Sequence, residues 1–160
     1  MQSSPDIAVI TNIAPNHLDM HKSMEEYVNA KKNIFIHQAY NSKLVLNHDN
    51  SITRSFEKEA QGDVIFFSRQ NMLERGVYIK DDSIYINMGK KDIKIMKTTD
   101  ILIPGVHNIE NYMAASAAVW EMVDVENIRQ VAMNFNGVEH RIEFVKEVEG
   151  IKFYNDSIAS

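Results

Sequence analysis

One polar cluster combines imidazole and carboxylate side chains at alternating positions. His17, Asp19 and His21 are each separated by one apolar residue, so they can share one side of an extended segment. Both groups are common ligands of divalent metals. The cluster follows a predicted parallel strand at residues 7–10, and open α/β sheets bind ligands at the carboxyl ends of such strands. The alternative is a loop whose polar groups cap the next helix.

A lysine lies where the sequence pattern calls for an apolar side chain. A capping box that starts at Ser23 predicts a helix over residues 24–38. Its predicted apolar stripe consists of Met24, Tyr27, Val28, Ile34 and Phe35. Lys31 falls in the middle of this stripe, whereas Lys32 lies toward its edge. We expect Lys31 to extend its amine to water, to meet a counter-charge, or to lose its proton and become chemically useful.

Two later clusters have the side chains that contact nucleotides. Asn108 and Asn111 are three residues apart, so they face the same way in a helical first turn. Gly105 permits close approach of the backbone, and carboxamides can read the edge of a base. Arg141 has the geometry to bind phosphate with two hydrogen bonds, and Asp156 can accept one from a ribose hydroxyl. The alternatives are helix capping by Asn108 and ordinary surface charges at the other two positions.

The elements that position these clusters predict an α/β fold. It contains a mostly parallel sheet flanked by helices and a small antiparallel hairpin region. The predicted parallel strands and crossover helices span, in order, residues 7–10, 24–38, 43–47, 52–60 and 64–67. The later predicted elements are antiparallel strands at 77–79, 84–86 and 93–96, helices at 108–123 and 125–135, and paired strands at 142–148 and 151–154.

Composition narrows the class of protein. The 160 residues carry a net charge of -5, which offers no basic surface for nucleic acid. The sequence has no cysteine, so disulfides, thiolate metal sites and a cysteine nucleophile are excluded. No apolar run approaches the ~20 residues of a membrane span, and we expect a cytoplasmic location. The last residues form a polar loop directly after a predicted strand, so we expect one domain, residues 1–160, of a longer protein.

Taken in order, the clusters resemble the Mur ligases, the cytoplasmic enzymes that build the peptide stem of bacterial cell-wall precursors. The resemblance runs from Pro5 to the last residue. Its motifs are Thr11-Asn12-Ile13 with His17-Leu18-Asp19, Tyr27-Val28-Asn29-Ala30-Lys31, Gly105-Val106-His107-Asn108 with Asn111, His140-Arg141, and Asn155-Asp156-Ser157. The last motif is most similar to that of the members that add D-glutamate.

The resemblance implies a central ATP-binding domain of the P-loop type. It implies that His17 binds Mg²⁺ and that Lys31 is carbamylated, so that its new carboxylate helps to hold the metals. The residues implied to contact ATP are His107, Asn108, Asn111, Arg141 and Asp156. The implied reaction transfers a phosphoryl group from ATP to the carboxylate of UDP-N-acetylmuramoyl-L-alanine. The amine of D-glutamate then displaces phosphate from the acyl phosphate. The complete enzyme is implied to be a monomer.

The sequence also departs from the family pattern. It has no glycine-rich phosphate loop ending in Gly-Lys-Thr or Gly-Lys-Ser, and the family's metal-binding glutamate, which precedes the first strand, is missing. The UDP-binding and amino-acid-binding domains are missing too, so we expect the chain alone to be inactive and to bind ATP weakly. Asn16 replaces the aspartate of many relatives, and Ile158 replaces the lysine of many D-glutamate ligases.

Three alternatives remain at the sequence level. The parent enzyme can be another Mur ligase or a relative of folylpolyglutamate synthetase, or the chain can be a non-catalytic nucleotide-binding module. The sequence lacks folate motifs, and Asn155-Asp156-Ser157 disfavours the synthetase. An incomplete sheet would also leave a strand edge that can pair with a second copy of the chain.

Overall fold

One six-stranded sheet organises the computed structural model, which describes residues 3–14, 23–139, 141 and 143–157. Its strands are β1 (Ile7–Ile10), β2 (Lys43–Asn47), β3 (Asp63–Ser68), β4 (Arg75–Lys80), β5 (Ser83–Met88) and β6 (Asp92–Lys97). They lie side by side in chain order. The pairings from β1 to β4 are parallel, and those of β5 with β4 and β6 are antiparallel. The predicted mostly parallel sheet is confirmed, and the predicted hairpin continues that same sheet.

Helices and a second, smaller sheet complete the described structure. The helices are α1 (Met24–Lys32), α2 (Ser51–Ser55), α3 (Val106–Val119) and α4 (Val125–Asn134), with 3-10 turns at Phe56–Lys58 and Thr98–Asp100. The predicted terminal strand pair is confirmed as β7 (Glu143–Val148) and β8 (Ile151–Asn155). None of the described helices is both long enough and apolar enough to cross a membrane.

The sheet separates two apolar layers because successive side chains of a strand point to opposite faces. On β2, the fully buried Val45 packs in one cluster with Met113 of α3. Its neighbour Leu44 points the other way and packs with Tyr27 of α1 and with Phe35. Consecutive apolar residues are therefore needed along β2, which explains why it reads as a continuous hydrophobic run.

Helix α3 lies close to the parallel strands because its inner face is small. Ala114 and Ala117 are buried against the sheet. The amine of Lys43 on β2 reaches the end of this helix, where its Nζ donates to the carbonyls of Ala118 and Trp120, each at 3.1 Å. A cation at the carboxyl end of a helix is favourable, because the last carbonyl groups have no partner within the helix.

The predicted ends of two helices are wrong. Helix α1 ends at Lys32 instead of residue 38, because the next backbone N–H groups donate three residues back and tighten the chain. The hydroxyl of Ser4 fixes this tightened segment, since it donates to Asn33 O and accepts from His37 N, both at 3.2 Å. Helix α3 begins two residues earlier than predicted and ends before Glu121, whose φ of 72° lies in the left-handed region.

Candidate functional site

A cleft of about 490 Å³ lies beside α3, and we call it the α3 cleft. Its lining comes from the start of α3, the carboxyl half of α4 and the segment that follows α4. The residues are Ile103, Asn108, Asn111, Tyr112, Ala115, Val131, Phe135, Gly137, Val138 and Arg141. Most of these side chains are apolar, with two carboxamides and one guanidinium among them. Such a lining suits a flat, mostly apolar ring system that carries a few polar groups.

The two asparagines of the α3 cleft are linked to each other. Asn111 Nδ2 donates to Asn108 Oδ1 at 3.3 Å, and Asn108 Nδ2 donates to Pro104 O at 2.6 Å. The prediction that they face the same way is confirmed. The alternative that Asn108 caps the helix is wrong, because α3 starts at Val106 and Asn108 lies within its first turn. Asn111 Oδ1 accepts no hydrogen bond within the described part of the chain.

Gly105 permits the tight entry into α3. Its φ is 106°, and a Cβ atom on it would lie 2.5 Å from the imidazole of His107. The imidazole therefore packs directly over the glycine backbone. His107 is exposed and is not among the lining residues of the α3 cleft.

Two other predicted nucleotide contacts lie in different places. The backbone N–H of Arg141 donates to Val138 O at 3.1 Å, which places this residue at the α3 cleft. Its guanidinium forms no ion pair within residues 3–14, 23–139, 141 and 143–157. Asp156 follows β8, is exposed, and is not among the lining residues. The structure thus brings Asn108, Asn111 and Arg141 to one cleft, and not His107 or Asp156.

Tyr112 adds a buried phenol to the wall of the α3 cleft. The residue is 8% exposed, and its hydroxyl has no hydrogen-bond partner among the described residues. Burial raises the pKa of this phenol, so it stays protonated. Sequence reasoning missed Tyr112 as a cleft residue, because an aromatic residue within a helix is normally assigned to the core.

A second cleft, of about 340 Å³, lies where β1 ends beside α1, and we call it the Lys31 cleft. It is lined by Val9, Ile10, Thr11, Asn12, Tyr27, Ala30, Lys31 and Ile34. The Nζ of Lys31 lies 5.3 Å from the centre of the Tyr27 ring, a distance at which a cation is attracted to the ring face. Thr11 and Asn12 directly follow β1 and thus lie at the carboxyl end of this parallel strand.

Lys31 lies beside Tyr27 and Ile34 of the predicted stripe, and of the three expected outcomes the structure agrees with the amine that extends to water. Lys31 is exposed, and Ile34, which was expected beside it, is 40% exposed. The reason is the early end of α1, which turns Ile34 away from the core. Lys32 is the more enclosed of the two lysines, and its Nζ forms an ion pair with Glu59 at 2.6 Å.

The metal-binding cluster predicted at His17, Asp19 and His21 lies outside the described residues, as do His140 and Ile158. Within the described ranges, no group of three histidine or acidic side chains is placed to hold a metal ion. The side chains with oxygen atoms at the Lys31 cleft are those of Thr11, Asn12 and Tyr27, and Asn12 Oδ1 already accepts a hydrogen bond from Asn50. A lysine amine adds no oxygen ligand, but a carbamate on Lys31 would add two, which suits the preference of Mg²⁺ for oxygen.

The fold and the α3 cleft define an α/β domain with a mostly apolar cleft of about 490 Å³. A family model described as the Mur ligase middle domain matches residues 1–119. The chain therefore belongs to the Mur ligase family.

Two relatives that match the whole chain bear the name of one particular enzyme. The UDP-N-acetylmuramoylalanine–D-glutamate ligase of Acetivibrio thermocellus is 59% identical over all 160 residues. The ligase of the same name from Ruminiclostridium cellulolyticum is 54% identical over the same length. The chain spans about a third of the length of these relatives, 34% in each case.

Solved structures of Mur ligases share the fold at low sequence identity. MurF from Acinetobacter baumannii superposes with a TM-score of 0.72 at 20% identity, covering 96% of this chain and 34% of that one. MurF from Thermotoga maritima, solved in complex with ADP, superposes with a TM-score of 0.62 at 18% identity, covering 96% of this chain and 35% of that one. These likenesses extend the fold assignment to β7 and β8, which lie beyond the residues matched by the family model.

Proposed function

We propose that this chain is the ATP-binding middle domain of a ligase that joins D-glutamate to UDP-N-acetylmuramoyl-L-alanine. In this reaction the γ-phosphoryl group of ATP moves to the substrate carboxylate, leaving ADP. The amine of D-glutamate attacks the acyl carbon, the carbon–oxygen bond to phosphate breaks, and the amide forms. The observation that carries the proposal is the linked Asn108–Asn111 pair in the α3 cleft, on a chain 59% identical to a ligase of that name.

The chemistry of the α3 cleft fits an adenine nucleotide. Its apolar side chains, including Val131 and Phe135, can cover the faces of a base. The available Oδ1 of Asn111 can accept from the exocyclic amine, since its own Nδ2 is held by Asn108. The guanidinium of Arg141 can pair with phosphate oxygens. His107 and Asp156 belong to the same proposal as contacts made when the nucleotide is bound.

The proposal includes a Mg²⁺ ion held by His17 and by a carbamate on Lys31. The bound metal would offset negative charge on the reacting phosphoryl group. The carbamate forms when the neutral amine of Lys31 attacks the carbon of CO₂ and loses a proton. What supports this assignment is position and not burial. Lys31 faces a cleft that also holds Thr11 and Asn12, whereas the amine of Lys32 is engaged with Glu59.

The proposal extends to location and assembly. We place the enzyme in the cytoplasm, where ATP and UDP-linked precursors occur, and treat the complete ligase as a monomer. Among the described strands, β1 forms one edge of the sheet. This edge is therefore the proposed site of pairing between copies when the chain is isolated.

The test is a ligase assay on the longer polypeptide that contains this chain. ADP release should require both UDP-N-acetylmuramoyl-L-alanine and D-glutamate. L-lysine and L-alanine in place of D-glutamate, and a glutamyl-folate in place of the nucleotide substrate, should give no turnover. Turnover with another amino acid, turnover with the folate substrate, or ATP binding without any turnover would replace the proposal by one of the three alternatives: another Mur ligase, a relative of folylpolyglutamate synthetase, or a non-catalytic module.

A separate test addresses Lys31 and has Lys32 as its matched control. Lys31→Ala should abolish activity, and activity of the unaltered enzyme should rise with bicarbonate in buffer depleted of CO₂. A carbamate resonance from ¹³C-bicarbonate should be present in the unaltered enzyme and absent from Lys31→Ala. Lys32→Ala should retain the resonance and most of the activity, since it loses an ion pair that is partly exposed. Full activity of Lys31→Ala would show that the carbamate assignment is wrong.

A further inference from the structure

A turn of polar residues at the end of β2 holds the segment that forms the Lys31 cleft. The turn comprises residues 47–50, and we call it the asparagine turn. Asn47 is buried, and its Nδ2 donates to Thr11 O at 2.9 Å. Asn50 Nδ2 donates to Asn12 Oδ1 at 2.7 Å and to Ile13 O at 2.9 Å. Three consecutive residues after β1 are therefore held by two side chains that come from the neighbouring strand end.

Asn50 uses every hydrogen-bonding position of its side chain. Its Oδ1 caps α2 by accepting from the N–H groups of Ile52 at 3.1 Å and Thr53 at 3.0 Å. Its Nδ2 supplies both bonds to the segment after β1. A carboxamide has one acceptor oxygen and two donor hydrogens, so this pattern fixes which end faces which partner. Asn50 is thus tied to α2 on one side and to the wall of the Lys31 cleft on the other.

The bond to Asn12 also decides what the Lys31 cleft offers to a ligand. Asn12 Oδ1 accepts from Asn50, and the Nδ2 of Asn12 has no partner in the described part of the chain. Asn12 lines the same cleft as Lys31. The cleft therefore presents a carboxamide donor on the wall that also holds Lys31, and this donor suits an anionic oxygen, such as one of the proposed carbamate.

We infer that Asn50 is a positioning residue for the reaction, which orients Asn12 and fixes residues 11–13 at the wall of the Lys31 cleft. The inference rests on the proposed ligase function for its catalytic part. Its structural part concerns only the segment after β1, and it is tested separately. Asn50 would act through Asn12, and not by touching the substrate.

Two substitutions separate the cap of α2 from the link to Asn12. Asn50→Ser keeps a good helix cap and removes both donors. Asn50→Asp also keeps the cap, but it places a carboxylate against Asn12 Oδ1 and Ile13 O, so the carboxamide of Asn12 must flip or move away. Asn134→Ser is the matched control, because it removes an exposed asparagine whose Nδ2 bonds lie within α4, to Gln130.

The experiment measures amide hydrogen exchange and kinetics on the longer polypeptide. In both Asn50 variants, exchange over residues 11–14 should be faster, with the melting temperature close to that of the Asn134→Ser control. The kcat should fall roughly 10- to 100-fold, as expected when a reacting group is misplaced, while the KM for ATP stays within about twofold because the α3 cleft is untouched.

Failure of this inference can be distinguished from failure of the proposed ligase function. Unchanged exchange at residues 11–14, or an unchanged kcat in both variants of an active ligase, would overturn the inference. If the unaltered enzyme has no ligase activity, the proposed function is wrong, and the exchange result alone decides whether Asn50 holds the segment.

Discussion

Asn111 donates its Nδ2 hydrogen bond to Asn108 Oδ1 from one helical turn away, at 3.3 Å. Asn108 in turn holds the carbonyl of Pro104, just before α3, at 2.6 Å. Asn108 is buried, whereas Asn111 is exposed to the α3 cleft. The two asparagines therefore have different roles. Asn108 fixes the entry of the helix, and Asn111 presents a polar edge whose orientation Asn108 determines.

Replacement of Asn108 and of Asn111 should have different effects on the melting temperature. In the longer polypeptide, Asn111→Ala should raise the KM for ATP about tenfold, the loss of roughly one hydrogen bond, and leave the melting temperature unchanged. Asn108→Ala should raise the KM and also lower the melting temperature, because the carbonyl of Pro104 loses its partner. Steady-state kinetics and thermal unfolding give both values. Equal melting temperatures for the two variants would contradict the division of tasks.

How far the sequence predicts this site depends on how local each feature is. The spacing of Asn108 and Asn111 is enough to place them on one face of a helix, and the structure agrees. The start of the helix was missed because Gly105 has a φ of 106° and no capping side chain. The approach of Arg141 to the α3 cleft was anticipated only through the family resemblance, because residues distant in sequence create it.

The Lys31 cleft shows the limit of periodicity. The helical pattern was extended to residue 38, but Ser4 holds the backbone of residues 33–37 in turns instead. A contact between residues about 30 positions apart leaves no periodic signal. For the asparagine turn, the sequence predicts only that a strand ends at Asn47, and the polar run that follows this apolar strand is the available signal. Its bonds to residues 11–13 depend on β1 and β2 being neighbours.

Lys43 should stabilise the end of α3. Its Nζ donates to the carbonyls of Ala118 and Trp120, so Lys43→Met keeps most of the aliphatic stem and removes the bonds. The expected loss is about 1–2 kcal/mol in the free energy of unfolding. Urea denaturation measures it, and Lys97→Met, at an exposed lysine, is the control. If both variants have the same midpoint, the interaction of Lys43 with the helix end contributes nothing.

Loss of the Tyr78 proton should lower the free energy of unfolding at alkaline pH. Burial first, and then a hydrogen bond to Asp92, raise the pKa of Tyr78 from 10.0 to about 12. Because the folded state favours the protonated phenol, its contribution is complete below pH 10 and is lost as the pH rises toward about 12. Tyr78→Phe should be less stable than the unaltered chain at pH 8, and the difference should shrink by pH 11.5.

The control for this titration is Tyr40→Phe, since Tyr40 is 85% exposed, whereas Tyr85 itself contributes to the raised pKa of Tyr78. Urea denaturation at several pH values gives the two differences. A stability difference for Tyr78→Phe that stays constant between pH 8 and pH 11.5 would rule out the raised pKa as the cause.

Substitution by alanine should destabilise the protein more at Gly76 than at Gly89, although both glycines have a positive φ. Gly76 has a φ of 138°, and a Cβ there would lie 2.3 Å from Phe66 O, where β4 approaches β3. Gly89 has a φ of 81° and nothing within 4 Å of its Cβ position. Gly89→Ala should therefore cost about 1 kcal/mol of backbone strain. Gly76→Ala should cost at least about 3 kcal/mol, because the strands must separate in addition. Urea denaturation compares them, and equal losses would show that β4 can move away from β3 freely.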